Sequence, residues 1–134
     1  MVEEKNLNYV SCYPYGVWSE TKVISYGKMS SADSYSIFNQ SETSRAKVVA
    51  LDECLANKPV TLIKMDIEGA EMEALIGCSN IIQTQNPKMA ICVYHRLEDM
   101  WLVPMYLKEK NINYKKYIRH HAKWWVSETV CYGI

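Results

Sequence analysis

The sequence contains no apolar run near the ~20 residues of a membrane-spanning helix, and its first ten residues, MVEEKNLNYV, resemble no signal peptide. Its five cysteines are an odd number, lie far apart and form no CxxC pair, which argues against zinc and redox motifs. Neither charge is in excess, with 15 basic and 15 acidic residues, so no polyanion-binding surface is indicated. We therefore expect a cytoplasmic protein with reduced thiols that binds neither nucleic acid nor membrane.

Glycine is also scarce. Only five glycines occur, and no GxG is found among them, so the chain has no glycine turn of the kind that admits a cofactor close to the backbone. The 134 residues are 49% hydrophobic, which is enough for one compact domain. A second domain is not expected.

The order of apolar segments predicts an α/β fold in which parallel crossovers give way to a closing antiparallel hairpin. The first predicted elements are a strand and hairpin over Asn8–Trp18 and Thr21–Tyr26, a polar surface loop over Lys28–Lys47, and helical turns over Leu51–Asn57. A central strand buried on both faces follows over Val60–Ile67, and then a helix from Gly69 with Ala70, Ala74, Leu75 and Cys78 on its apolar side. The last elements are a buried strand over Lys88–Tyr94, a helix over Glu98–Lys110 with Met100, Trp101, Val103 and Leu107 on its apolar side, and strands over Tyr114–His120 and Glu128–Ile134. Because a proline inside a helix removes a hydrogen bond, the helix over Glu98–Lys110 is left with two possible starts, Glu98 or the neighbourhood of Pro104.

Three carboxylates, Asp66, Glu68 and Glu71, cluster where the strand over Val60–Ile67 meets the following helix. Ligands of open α/β sheets bind at the carboxyl ends of strands, and a carboxylate there can accept a proton or hold a metal ion. Gly69 allows a tight turn or a close approach to a ligand. The structural alternative, favoured on spacing alone, is that Asp66 caps the helix while Glu68 and Glu71 complement its N-terminus.

Several segments together resemble the FkbM family of class I methyltransferases. They are Pro14–Trp18 (PYGVW), Asp66–Glu71 (DIEGAE), Tyr94–His95 at the end of a buried strand, Glu98–Pro104 (EDMWLVP), Tyr117–His121 (YIRHH) and Glu128–Tyr132 (ETVCY). The resemblance covers nearly the whole chain. It implies methyl transfer from S-adenosylmethionine, most often to a hydroxyl oxygen of a small molecule, sugar or glycan.

The resemblance and the predicted strand ends together nominate the site residues. Asp66 and His95 are the candidate catalytic residues, since they lie at the ends of adjacent predicted strands and an imidazole exchanges protons near neutral pH. Cofactor binding is assigned to Asp66, Glu68 and Gly69, and substrate binding to Glu71 and His95. No metal ligand is assigned, although Asp66, Glu71 and His95 offer a minor option for magnesium.

Structural alternatives exist for the histidines and tryptophans. His95 is equally well explained as a strand-end residue bonded to Glu98 or Asp99. His120 and His121 point to opposite strand faces, so at most one faces a site, and both are interpreted as structural. Trp101 is interpreted as packing, whereas Trp124 and Trp125 are left unassigned.

The chain also departs from the family pattern. Family members begin with a strand, a glycine turn, a helix and an acidic strand end, and nothing of that kind precedes Leu7. We therefore expect residues 1–134 to form a single partial domain, from the family's third strand to its C-terminus. It would be a partial Rossmann-like class I methyltransferase sheet whose N-terminal cofactor-binding strands are missing.

Loss of two middle strands would leave an open edge between the strand near Tyr13 and the strand over Val60–Ile67, which invites self-association or pairing with a partner chain. A truncated gene, a fragment of a longer polypeptide and a partner-dependent remnant all fit the sequence. We expect no methyl transfer by this chain alone. The alternatives are a non-catalytic interaction module and, ranked last, a metal-dependent hydrolase, for which the usual histidine ligands are lacking.

Overall fold

The described strands form two small sheets, and three helices pack on the second. The computed structural model describes residues 9–28, 35–36, 44–123 and 127–134. Its elements in chain order are β1 (Gly16–Val17), β2 (Lys22–Lys28), β3 (Tyr35–Ser36), β4 (Ser44–Val49), α1 (Leu51–Cys54), β5 (Leu62–Met65), α2 (Glu71–Ile76), α3 (Ser79–Gln85), β6 (Lys88–Cys92), α4 (Asp99–Lys110), β7 (Lys116–His120) and β8 (Thr129–Gly133). The chain is therefore a mixed α/β protein.

The first sheet has the order β1-β4-β2-β3, in which β1 runs parallel to β4 and β2 pairs antiparallel with both β4 and β3. The predicted strand over Asn8–Trp18 is wrong in extent, since the described strand β1 covers only Gly16–Val17, and Asn8 lies outside the described residues. The predicted loop over Lys28–Lys47 is wrong at Tyr35–Ser36, which forms β3, and at Ser44–Lys47, which belongs to β4. Residues 29–34 and 37–43 of that loop lie outside the described residues. The first four residues of β4 are not buried, which explains their polar, loop-like composition.

The second sheet has the order β5-β6-β8-β7, with β5 parallel to β6 and with β6, β8 and β7 successively antiparallel. This confirms the predicted crossover and closing hairpin. The prediction of a central strand buried on both faces is wrong for β5. Ile63 and Met65 are buried, but Leu62 is 61% exposed and β5 is an edge strand of the described sheet. The described fold therefore leaves part of the apolar surface of β5 exposed.

Helix α4 begins at Asp99 and continues through Pro104. Its first turn is already closed by hydrogen bonds from the N–H groups of Trp101 and Leu102 to the carbonyl of Glu98, at 3.2 and 2.9 Å. The alternative start near Pro104 is therefore wrong. The helix lacks one wide apolar face, because Val103 and Leu107 are buried whereas Met100 and Trp101 are 39% and 50% exposed. The packing role predicted for Trp101 is correspondingly wrong.

The hydrophobic core lies between the second sheet and helices α2, α3 and α4. Leu75, Ile82 and Leu107 from the helices and Met89 and Ile91 from β6 are each at most 1% exposed. Each such side chain contributes roughly 1.5–3 kcal/mol through burial. Among the described residues, no helix is both long and apolar enough to cross a membrane.

All five cysteines are free thiols. Burial raises the pKa of Cys78 to about 12 and that of Cys131 to about 11. Burial, followed by the neighbouring carboxylate of Asp66, raises the pKa of Cys92 to about 12. Because the thiolate is the reactive form, these three residues are packing groups rather than nucleophiles.

Candidate functional site

The candidate site lies at the shared carboxyl edge of β5 and β6. These strands are parallel and in register, with Met65 opposite Ile91, so the residues that follow each of them meet at one edge. There, Nε2 of His95 lies 3.4 Å from Oδ1 of Asp66. The structure thus brings together the two residues nominated as catalytic.

Glu71 holds the ring of His95. Its Oε1 lies 2.8 Å from Nδ1 of His95 and also accepts the backbone N–H of Ile67 at 2.9 Å. An ionised carboxylate only accepts hydrogen bonds, so Nδ1 carries a proton and donates it to Glu71. The other ring nitrogen, Nε2, faces Asp66 and also Glu68, whose Oε2 is 3.7 Å away.

The predicted alternative partners of His95 are wrong. Glu98 instead accepts hydrogen bonds from the guanidinium of Arg96, with Nε at 2.9 Å. Neither carboxylate oxygen of Asp99 has a hydrogen-bond partner in the described structure. His95 is indeed a strand-end residue bonded to a carboxylate, but that carboxylate comes from the first turn of α2.

The capping role that the alternative gives to Asp66 is wrong, although Glu71 does lie in the first turn of α2. The N-cap of α2 is Ala70, and no side chain caps that helix. Asp66 instead accepts a hydrogen bond from the hydroxyl of Tyr94 at 3.0 Å, and Glu71 turns back toward His95. Asp66 therefore belongs to the strand edge and not to the helix cap, whereas Glu71 contacts both His95 and the first turn of α2.

Tyr94 is a site residue whose role the sequence did not indicate. Its ring lies 4.1 Å from that of His95, measured between centroids. Burial, followed by the hydrogen bond to Asp66, raises the pKa of Tyr94, so its hydroxyl stays protonated and donates. Its only sequence signal was a polar position next to His95 at a strand end.

The turn between β5 and α2 places Glu68. Glu68 and Gly69 both have positive φ, at 56° and 92°. The left-handed region is uncommon for a residue with a side chain, so Gly69 fulfils the predicted requirement for a tight turn while Glu68 is held in an unfavourable conformation. The turn leaves the Glu68 carboxylate 47% exposed but facing His95.

Two carboxylates beneath the site are buried. Glu71 is 0% and Asp99 is 1% exposed, and three of their oxygens, Oε2 of Glu71 and both of Asp99, have no hydrogen-bond partner in the described structure. Burial, followed by the charge of Glu71, raises the pKa of Asp99. Asp99 was predicted only as a possible partner of His95, because an acidic residue at the start of a helix is commonplace.

The same edge offers a set of possible metal ligands. One ligand atom from each of Asp66, Glu71 and His95 lies within 4.8 Å of the other two. Glu71 and His95 are the two residues that the sequence nominated for substrate binding, so all of the nominated side chains lie in one cluster.

An apolar cavity of about 520 Å³ lies between the two sheets and ends at the start of α2. It is lined by Val17, Ile24 and Val48 on one side and by Ile63 and Met65 of β5 on the other. It therefore separates the open edge of β5 from the first sheet.

Parallel strands with polar groups at their carboxyl ends define the class of α/β proteins that bind ligands at a sheet edge. Within that class, residues 6–122 match the family described as the methyltransferase FkbM domain, and the chain belongs to this family. The predicted resemblance is thereby confirmed.

Among solved structures, the chain is similar to methyltransferase FkbM from Methylobacillus flagellatus KT, with 26% identity and a TM-score of 0.75. The similarity covers 98% of this chain but only 31% of that one, so the chain spans about a third of the solved relative. No curated protein matches the chain.

Proposed function

We propose that this chain takes part in S-adenosylmethionine-dependent methyl transfer to a hydroxyl oxygen of a small molecule, sugar or glycan. One observation supports this most directly: Asp66 and Nε2 of His95 meet at the carboxyl edge of two parallel strands, in a chain of the FkbM methyltransferase family. The chain would supply the acceptor side and part of the cofactor pocket.

The residues of the site would orient the acceptor hydroxyl and help it to lose its proton. Nε2 of His95 and the carboxylates of Asp66 and Glu68 all lie at the same exposed edge. Glu71 fixes the ring of His95 through Nδ1, and Tyr94 fixes Asp66. Neither supporting residue needs to touch the acceptor.

S-adenosylmethionine, when bound, supplies a methyl group activated by a sulfonium centre. The donor set fits a cationic cofactor, because Asp66 and Glu68 are 39% and 47% exposed carboxylates beside the tight turn at Gly69. We assign cofactor binding to these three residues. Glu71 is 0% exposed, so its contribution to substrate binding would pass through His95.

We further propose that residues 1–134 are one partial, Rossmann-like methyltransferase domain whose sheet is completed beside β5. Support comes from the open edge of β5, the exposure of Leu62 and the apolar cavity that separates β5 from the first sheet. An unpaired apolar edge favours addition of a strand. The added strand would come from residues outside this sequence, in the same polypeptide or in another chain.

Calorimetric titration with S-adenosylhomocysteine tests the cofactor assignment, once circular dichroism has shown a folded chain. We expect a dissociation constant in the micromolar range, roughly −8 kcal/mol, and at least tenfold weaker binding for Asp66→Asn. Glu109→Gln, at a side chain that is 73% exposed on α4, is the matched control and should bind normally. A folded chain without measurable binding would refute the assignment.

A further inference from the structure

We propose that Asp66 and His95, supported by Glu71, bind a divalent metal ion such as Mn²⁺ or Zn²⁺. Across the edge, Nε2 of His95 lies 3.4 Å from Oδ1 of Asp66 and 3.7 Å from Oε2 of Glu68. One ligand atom from each of Asp66, Glu71 and His95 lies within 4.8 Å of the other two. A cation bound between His95 and Asp66 would offset the negative charge of these carboxylates.

The hydrogen bond behind His95 fits a metal ligand. Histidines that bind metals commonly donate the other ring N–H to a carboxylate, which fixes the tautomer and makes the ligating nitrogen more basic. Glu71 makes this contact at 2.8 Å and is itself held by the N–H of Ile67 at 2.9 Å. Because Glu71 is fully buried, it cannot swing away to solvent.

An independent observation concerns the buried charge beneath the site. Oε2 of Glu71 and both oxygens of Asp99 find no hydrogen-bond donor in the part of the chain that the structure describes, and both side chains are at least 99% buried. Carboxylate oxygens without a donor are costly in such surroundings, whereas Oε1 of Glu71 is satisfied by His95 and Ile67. A divalent ion at Nε2 of His95, across the ring from Glu71, would offset this negative potential.

The distances suit a small ion. Two ligands about 2.1 Å from a tetrahedral metal lie about 3.4 Å apart, and Nε2 of His95 and Oδ1 of Asp66 are 3.4 Å apart. The exposed carboxylates of Asp66 and Glu68 leave a path for the ion from solvent. The site therefore has ligands, a supporting carboxylate and an entrance.

The donor set selects the class of ion. One imidazole nitrogen with carboxylate oxygens favours Mn²⁺ or Zn²⁺ over Mg²⁺, which prefers oxygen ligands alone. Cys92 is buried within β6 and is not counted among the ligands.

Binding of the ion needs no methyl donor. Its use, to polarise an acceptor hydroxyl while the proton leaves to the exposed carboxylate of Glu68 or to water, rests on the proposed function. The two claims are therefore tested by separate titrations.

The test is titration of the EDTA-treated, dialysed chain with MnCl₂, ZnCl₂ and MgCl₂, followed by calorimetry and, for Mn²⁺, by loss of the free-ion paramagnetic resonance signal. We expect one Mn²⁺ or Zn²⁺ per chain, with Mg²⁺ bound at least tenfold more weakly. His95→Ala and Asp66→Asn should each weaken binding at least tenfold. Glu71→Gln should weaken it 10- to 100-fold through the orientation of His95. Glu109→Gln should change nothing.

His95→Gln, closer in size, guards against misfolding of the alanine variant, and circular dichroism is recorded for each protein. Absence of a one-to-one site in the folded chain, or binding that survives both His95 variants, would overturn the proposal. Ion binding without S-adenosylhomocysteine binding would uphold the metal site and refute the cofactor assignment. Binding of S-adenosylhomocysteine without ion binding would uphold the cofactor assignment and refute the metal site.

Discussion

Asp52 caps a helix that lies far from it in sequence. Helix α3 begins at Ser79, and its N-cap residue, Cys78, makes no capping bond. Instead, Oδ2 and Oδ1 of Asp52, in α1, accept the N–H groups of Asn80 and Ile81, both at 2.9 Å. Replacing a cap by alanine costs roughly 0.5–2 kcal/mol, and a hydrogen bond to a charged group contributes about 1.5–3 kcal/mol. We expect Asp52→Ala to lower the free energy of unfolding by about 2–3 kcal/mol.

Urea unfolding followed by circular dichroism measures this loss directly. Asp52→Asn keeps one acceptor oxygen but places an amide N–H against the second backbone donor, so it should lose a smaller but clear part of the stability. Glu109→Ala, on the exposed surface of α4, should stay within about 0.5 kcal/mol of the wild-type value. A loss below that level for Asp52→Ala would show that water caps α3 equally well, and the assigned role would fail.

Two further changes test the packing and the buried charge. Gly77→Ala should destabilise the chain by about 3 kcal/mol or more, because a Cβ there would lie 2.0 Å from the carbonyl oxygen of Trp18; a near-neutral effect on thermal unfolding would contradict this contact. Asp99→Asn should stabilise the chain at pH 7 by about 1–2 kcal/mol, since it removes a buried, unpartnered charge. Because the pKa of Asp99 is raised in the folded state, the wild type loses stability as the pH rises from near 3.8 through that folded-state pKa. The stability gained by Asp99→Asn should therefore shrink toward pH 4. A gain that is independent of pH would refute the view that Asp99 is a buried, unpartnered charge.

The second half of the fold was largely predictable from sequence. The apolar run at Lys88–Cys92 gave β6, and alternating segments gave β7 and β8, because these strands pair with close neighbours and each shows its own pattern. The end of helix α4 at Lys110 was predicted, but its start was left open between Glu98 and the neighbourhood of Pro104. The sequence does not show that the first turn is already closed before the proline.

The first half was less predictable because its pairings depend on distant residues. Strand β4 begins with polar, uncovered residues, which look like a loop until β2 is placed beside them. Strand β5 looks central because it is apolar, yet its place in the sheet depends on what pairs with its other edge. No local pattern encodes that neighbour.

For the site, the meeting of Asp66 and His95 could be predicted, since parallel neighbours share a carboxyl edge. The contact of His95 with Glu71 could not, because it depends on the left-handed turn at Glu68 and on side-chain rotamers. Charge pairing along the sequence suggested Glu98 or Asp99 instead. The turn places Glu71 next to the residues that follow β6, and for this reason His95 pairs with Glu71.

The two sheets are also synthesised one after the other. Among the described residues, the strand pairings of the first sheet lie within Gly16–Val49, and those of the second lie within Leu62–Gly133. On the ribosome, the first sheet can therefore close before the second has been synthesised. The residues of the site, which lie between Asp66 and His95, all follow the first sheet in the chain, so the site is assembled after that sheet has been synthesised.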